Sequence, residues 1–178
     1  ATDSSEKGRL LAFSAGNHEV ISKFLEDHPD ARALDLLKSL SNKDMIDVTR
    51  IIMDDSYNAT EAILCPRVEN EFLSPYKSFF TERFGTELSK EDLSVPANLI
   101  KWVQDSITVL RDPKAWSIPM SPIGVYQARM ADVRSRNIFF VALARTLGID
   151  ARKDPVTGKI QYKEAGQWVD VDFEASSQ

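Results

Sequence analysis

Asp132-Val-Arg-Ser-Arg-Asn-Ile-Phe-Phe-Val-Ala-Leu-Ala-Arg-Thr-Leu-Gly148 is the stretch on which the fold of this chain turns. Asp132 suits an N-cap, because its carboxylate can accept from the unpaired N–H groups of a first helical turn, and Gly148 suits the left-handed residue that closes one. Between them Ile138, Phe139, Val141, Ala142, Leu143 and Ala144 leave little polar surface, so the helix is predicted to be central and buried on most sides. The period then changes. Residues 149–153, 160–162 and 167–173 alternate in twos and are separated by Thr157-Gly158 and Ala165-Gly166, which predicts a small antiparallel meander.

Upstream, the spacing is helical. Residues 18–27 place Val20, Ile21, Phe24 and Leu25 on one face with Asn17 as cap, and Asp30 opens a second helix over 31–40, giving a helical hairpin. A longer amphipathic helix is predicted from Asn42 through Met53, continuing to Leu64 with a break near Asn58. Residues 67–84 carry Val68, Phe72, Leu73, Tyr76, Phe79, Phe80 and Phe84 at helical intervals, with Pro75 as a kink or break and Gly85 as the closing residue. Ser94 and Pro96 start a further helix lined by Leu99, Trp102, Val103, Ile107 and Leu110. Residues 112–126, with Pro113, Pro119, Pro122 and Gly124, read as an extended loop and mark a soft boundary. The expected organisation is therefore a helical region over 1–112 and a second part over 113–178, together an α+β fold, mainly helical before the buried helix and its antiparallel β-meander.

The 178 residues are 43% hydrophobic, enough to bury a core, and 22 basic against 27 acidic residues give a net charge of −5 without long blocks of either sign. Such a field does not favour nucleic acid. One cysteine, Cys65, excludes an intramolecular disulfide, and with only His18 and His28 as imidazoles a zinc site of ordinary type is not expected. No cofactor is implied. No apolar run approaches the roughly 20 residues that span a bilayer, and Ala1 to Gly8 lack the apolar stretch of a signal peptide. Both ends read as cut from a longer chain, so the expectation is a cytoplasmic protein, or an exported one whose signal is missing.

Arg145-Thr-Leu-Gly-Ile-Asp-Ala-Arg152, leaving the buried helix and running into strands that include Gln167-Trp-Val-Asp-Val-Asp172, resembles the core of the transglutaminase-like (cysteine-proteinase-like) superfamily. More loosely, residues 17–28, 66–80 and 121–140 are similar to transglutaminase-like proteins of Bacteroidetes-type gut bacteria, many of them lipoproteins. The resemblance implies an exported periplasmic or cell-surface protein. It also implies a nucleophilic cysteine at the helix start, a histidine on the following strand and an acid that orients it. A cysteine there gains from the helix dipole, which favours its thiolate. This sequence has Val133 where the cysteine is implied and Gly166 where the histidine is implied, while Asp170 or Asp172 could serve as the acid. Valine cannot attack an acyl carbon. The expectation is a catalytically inactive domain used for binding or support, with a peptide or glycan ligand or a neighbouring domain as partner. The alternative is an active hydrolase or acyl-transferase using a non-cysteine nucleophile or residues outside this chain.

Arg129, Asp132, Arg134, Ser135 and Arg136 crowd the helix start, where unpaired backbone donors and guanidinium groups would suit an anionic ligand. The plainer expectation is that Asp132 caps the helix and pairs with Arg129 or Arg136. Ser135 is the candidate replacement nucleophile, though no histidine stands near it in sequence as its base. Trp168, with Trp116, Tyr126 and Tyr162, could form an aromatic platform or serve as packing. Cys65 reads as a small buried hydrophobe, and Arg145 and Arg152 as structural donors at the helix–strand junction.

Overall fold

The computed structural model describes residues 17–58, 64–69, 71–111 and 118–173. Among them are nine helices and two small sheets, an α+β fold that is mostly helical. The chain divides into two compact units, residues 1–59 with 64–66 and residues 60–63 with 67–178. The boundary expected at 112/113 lies inside the second unit, because the helices that precede it pack on the same core as the buried helix.

The first unit holds α1 (His18–Asp27), α2 (Ala31–Lys38), α3 (Asn42–Asp47) and α4 (Arg50–Asn58). Its core comprises Ile21, Phe24 and Leu25 of α1, Ala33, Leu36 and Leu37 of α2, and Met45, Val48, Ile52 and Met53 beyond. Asp30 caps α2 as expected, accepting from the Ala33 N–H at 2.9 Å. Asn17 does not cap α1. Its side-chain amide instead donates to the carbonyls of Met45 and Val48, at 3.0 and 2.8 Å, and so ties the start of α1 to the end of α3. The single amphipathic helix expected from Asn42 is broken, because Val48 is extended and Thr49 restarts the chain by accepting from the Ile52 N–H. The break leaves Ile46 and Ile51 exposed. Cys65 is half-buried rather than buried, its thiol donating to the Ser39 carbonyl at 3.5 Å.

In the second unit, α5 (Tyr76–Thr81), α6 (Lys90–Leu93) and α7 (Pro96–Ser106) precede β1 (Thr108–Val109). They are followed by α8 (Pro122–Ala128), β2 (Met130–Ala131), α9 (Val133–Thr146) and the strands β3 (Ala151–Lys153), β4 (Ile160–Glu164) and β5 (Gln167–Asp170). Pro75 stops the predicted 67–84 helix from forming upstream, since it lacks an N–H and disfavours helical backbone in the residue before it. Only α5 survives, and Phe72 is exposed. Val68 and Glu69 are instead held by the buried Glu71 carboxylate, which accepts from their N–H groups. The helix expected from Ser94 ends at Ser106, earlier than its apolar spacing implied, and the chain enters β1. The loop expected over 112–126 contains α8: the Ser121 hydroxyl accepts from the Gly124 N–H and Pro122 takes the first helical position, where its missing N–H costs nothing. Trp116 and Pro113 lie outside the described residues.

Helix α9 is the axis of this unit. Asp132 caps it, accepting from the Ser135 N–H at 2.6 Å, and Gly148 closes it at φ 84°. Every residue from Ile138 to Thr146 is buried. Phe139 meets Phe80 edge-on and Phe80 meets Tyr126 the same way, the arrangement favoured by ring quadrupoles. Beyond α9 the meander forms as expected, in the order β3-β4-β5, both pairs antiparallel. Ala165 and Gly166 both have positive φ, 52° and 81°, as a two-residue hairpin turn requires. In the other sheet β1 and β2 run parallel, with the N–H groups of Thr108 and Leu110 donating to the carbonyls of Arg129 and Ala131. Truncating a wholly buried leucine costs its transfer energy plus a cavity, so Leu143→Ala is expected to lower unfolding free energy by about 2–5 kcal/mol. Ile51→Ala, on an exposed side chain, should stay within about 0.5 kcal/mol by the same chemical denaturation.

Candidate functional site

The residues singled out at the start of α9 do not converge on one cleft. Ser135 is fully buried, and its hydroxyl accepts from the Met120 N–H at 2.9 Å, fastening the segment before α8 to the first turn of α9. Val133, at the position where the resemblance implies a cysteine, is 44% exposed. Arg129 is held in left-handed backbone at φ 57°, donates to the Tyr126 carbonyl at 2.7 Å, and lies 4.3 Å above the Tyr126 ring. Arg134 turns the other way, to Glu69 at 3.1 Å. Arg136 reaches Asn137 and stands 4.3 Å over the ring of Phe173. The Asp132 carboxylate accepts from the Ser135 N–H, so the capping half of the expectation describes its geometry.

Glu69 is the point where this neighbourhood is locked. It accepts from Arg134 of α9 and from Lys153 of β3, joining the helix start to the first strand of the meander. Burial pushes its carboxyl up, but the hydrogen bonds and charges of Lys153 and Arg134 outweigh that and leave it below its ordinary value. Arg145 does the same structural work at the far end, donating to the carbonyls of Ala151 and Arg67 at 3.0 and 3.3 Å. Arg152 donates to Gln161 and covers the Trp168 ring at 4.1 Å. Trp168 therefore stacks on cations at the meander surface, while Tyr126 is buried among Phe79 and Phe80; the two do not form a shared platform.

A concavity lies beside α9. A cavity of about 940 Å³ is lined by Lys101 and Asp105 of α7, Thr108 and Val109 of β1, and Arg136 of α9. The meander adds Tyr162 and Asp170. Burial, with Glu164 nearby, pushes the Tyr162 phenol up, so it enters the cavity as a neutral hydroxyl. Asp170 is held below its ordinary value by Gln161 at 2.8 Å and by Lys159 at 3.4 Å. Lys101 and Asp105 also border a smaller hollow of about 350 Å³ with Asp92, Leu93 and Trp102. Neither of these two residues stood out in the sequence: opposite charges one turn apart on a helix are the ordinary make-up of a solvated face. What singles them out is the strand that α7 leads into.

The second unit contains neither cysteine nor histidine from residue 67 to 178. His18 and His28 belong to the first unit, where His28 stacks on Tyr57 with ring centroids 3.9 Å apart. No group of three potential metal ligands occurs among the described residues. No described helix is long and apolar enough to cross a membrane. No family model, curated protein or solved structure matches the chain.

A carboxylate held low by its partners contributes stability that is complete above the unfolded value and is lost as pH falls through the folded one. Glu69 should therefore steepen the acid limb of stability below about pH 4.3. Thermal unfolding followed from pH 7 to pH 3 should show that limb flattened in Glu69→Gln, and a variant that runs parallel to the parent would mean the bridge contributes nothing.

Proposed function

We propose that the chain is a catalytically inactive transglutaminase-like domain that binds a ligand through the groove between α7, β1 and the meander. One observation carries this reading: a large cavity with a polar rim lies against α9, while the helix start beside it has no nucleophile paired with a base. Nucleophilic acyl transfer needs a thiol or hydroxyl within hydrogen-bond reach of its base. Ser135, the hydroxyl nearest that role, is spent on the Met120 N–H and shut away from solvent. The resemblance in residues 145–152 and 167–172 supplies the family, and the mixed lining of Lys101, Asp105, Tyr162 and Asp170 supplies the capacity to bind a polar ligand. An exported bacterial setting is part of the same proposal, since it rests on the same resemblance.

The test is a pair of measurements on the whole chain. Incubation with a blocked glutaminyl-glycine acyl donor and a fluorescent amine acceptor should give no transfer and no ammonia above background; activity that is lost in Ser135→Ala would establish the hydrolase alternative instead. Ser135→Ala should in any case lower stability by about 1–3 kcal/mol, because it leaves the Met120 N–H without its acceptor.

A further inference from the structure

Among the described residues β1 has one partner strand, β2, and its other edge has none. The N–H groups of Thr108 and Leu110 are used on β2, so alternation turns the main-chain N–H and C=O of Val109 away from it. Thr108 and Val109 line the 940 Å³ cavity. An unpaired strand edge at a cavity wall is a template for another extended chain. The wall that leads into β1 carries Lys101 and Asp105, four residues apart on α7, both exposed and neither in an ion pair among the described residues.

The spacing of these two charges narrows the occupant. Residues four apart on a helix stand about 6 Å apart along its axis. Side chains on one face of an extended chain recur every second residue, about 6.6–6.8 Å apart. An extended peptide with an acidic and a basic residue two positions apart can thus meet Lys101 and Asp105 together, whereas a single charge or a uniform run would leave one of them facing its own sign or nothing. We infer that the groove takes an extended peptide segment that pairs with the free edge of β1 at Val109 and is read by Lys101 and Asp105 through opposite charges two residues apart. This rests on the binding reading above and names its ligand class. The remaining rim suits such a ligand. Tyr162 offers a neutral hydroxyl and Asp170 a carboxylate already steadied by Gln161 and Lys159.

The probes are end-blocked nonapeptides of alternating threonine and valine in which one glutamate and one lysine stand two residues apart, in either order, with a fluorophore for polarisation. One order is expected to bind about tenfold tighter than the other, two exposed ion pairs being exchanged for two repulsions. In the doubly substituted Lys101→Asp, Asp105→Lys protein the preference should invert. N-methylation scanned along the tighter peptide should abolish binding at one residue and leave it at that residue's two neighbours, because Val109 alone turns its main chain to the open edge of β1. Equal binding of both orders, an uninverted preference in the exchanged protein, or indifference to N-methylation would overturn the inference. If no peptide binds but chitotetraose shifts the amide resonances of Lys101 and Asp105, the peptide inference fails while the binding reading stands. Acyl transfer from the blocked glutaminyl donor to the amine would overturn the binding reading itself.

Discussion

The burial of α9 from Ile138 to Thr146 is the constraint from which the described residues of the second unit take their arrangement. A helix with one apolar stripe needs one neighbour, but one that is apolar all round must be enclosed. Aromatic residues of α5, the side chains of α7, the short helix α8 and the inner face of the meander provide that enclosure. Full burial of an aliphatic or aromatic side chain stabilises by roughly 1.5–3 kcal/mol, so the run from Ile138 to Ala144 outweighs any single polar contact in the unit. Local preferences yield to it. The apolar spacing after Ser94 runs past Ser106, yet the chain leaves the helix there and pairs with β2, placing Ile107 in the core.

Enclosure leaves the polar groups at the two ends of α9 to be satisfied locally. Asp132 and Ser135 act in series at the start: the carboxylate takes the Ser135 N–H, and the hydroxyl of the same residue takes the Met120 N–H. At the other end the Arg145 guanidinium reaches two carbonyls, one in β3 and one at Arg67. Each would cost more to leave unpaired than it contributes when made, which is why these side chains are committed to structure. The same commitment keeps the Ser135 hydroxyl on the Met120 N–H, away from solvent.

The groove lies between α7, β1, α9 and the meander, and among the described residues β1 pairs on one side only. Its lining draws on α7, β1, α9 and the meander, with charge of both signs and a neutral phenol. The charged pair on α7 gains its meaning from the strand that follows it. On an isolated helix Lys101 and Asp105 are solvated side chains, while beside an open strand edge they become a spaced pair that an extended chain can match.

Sequence alone was sufficient for α9, its cap and its closing glycine, for α1 and α2, and for the meander with its Ala165-Gly166 turn. These depend on interactions within a few residues, namely side-chain caps, backbone φ and hydrophobic period, which a single segment states in full. The failures share a different cause. Asn17 bonds to carbonyls some thirty residues away, Glu71 replaces the first half of a predicted helix with a carboxylate-centred loop, and Ser121-Pro122 starts a helix inside what composition presented as a loop. The site was the least legible part. The arginines at the start of α9 were visible as a cluster in sequence, but the tertiary structure sends Arg129, Arg134 and Arg136 to separate partners, since successive positions on a helix point in different directions. Which charges face a cavity, and which edge of a strand is free, follow from how α7, α9 and the meander pack against one another, and that packing is a long-range balance of burial that no local pattern encodes.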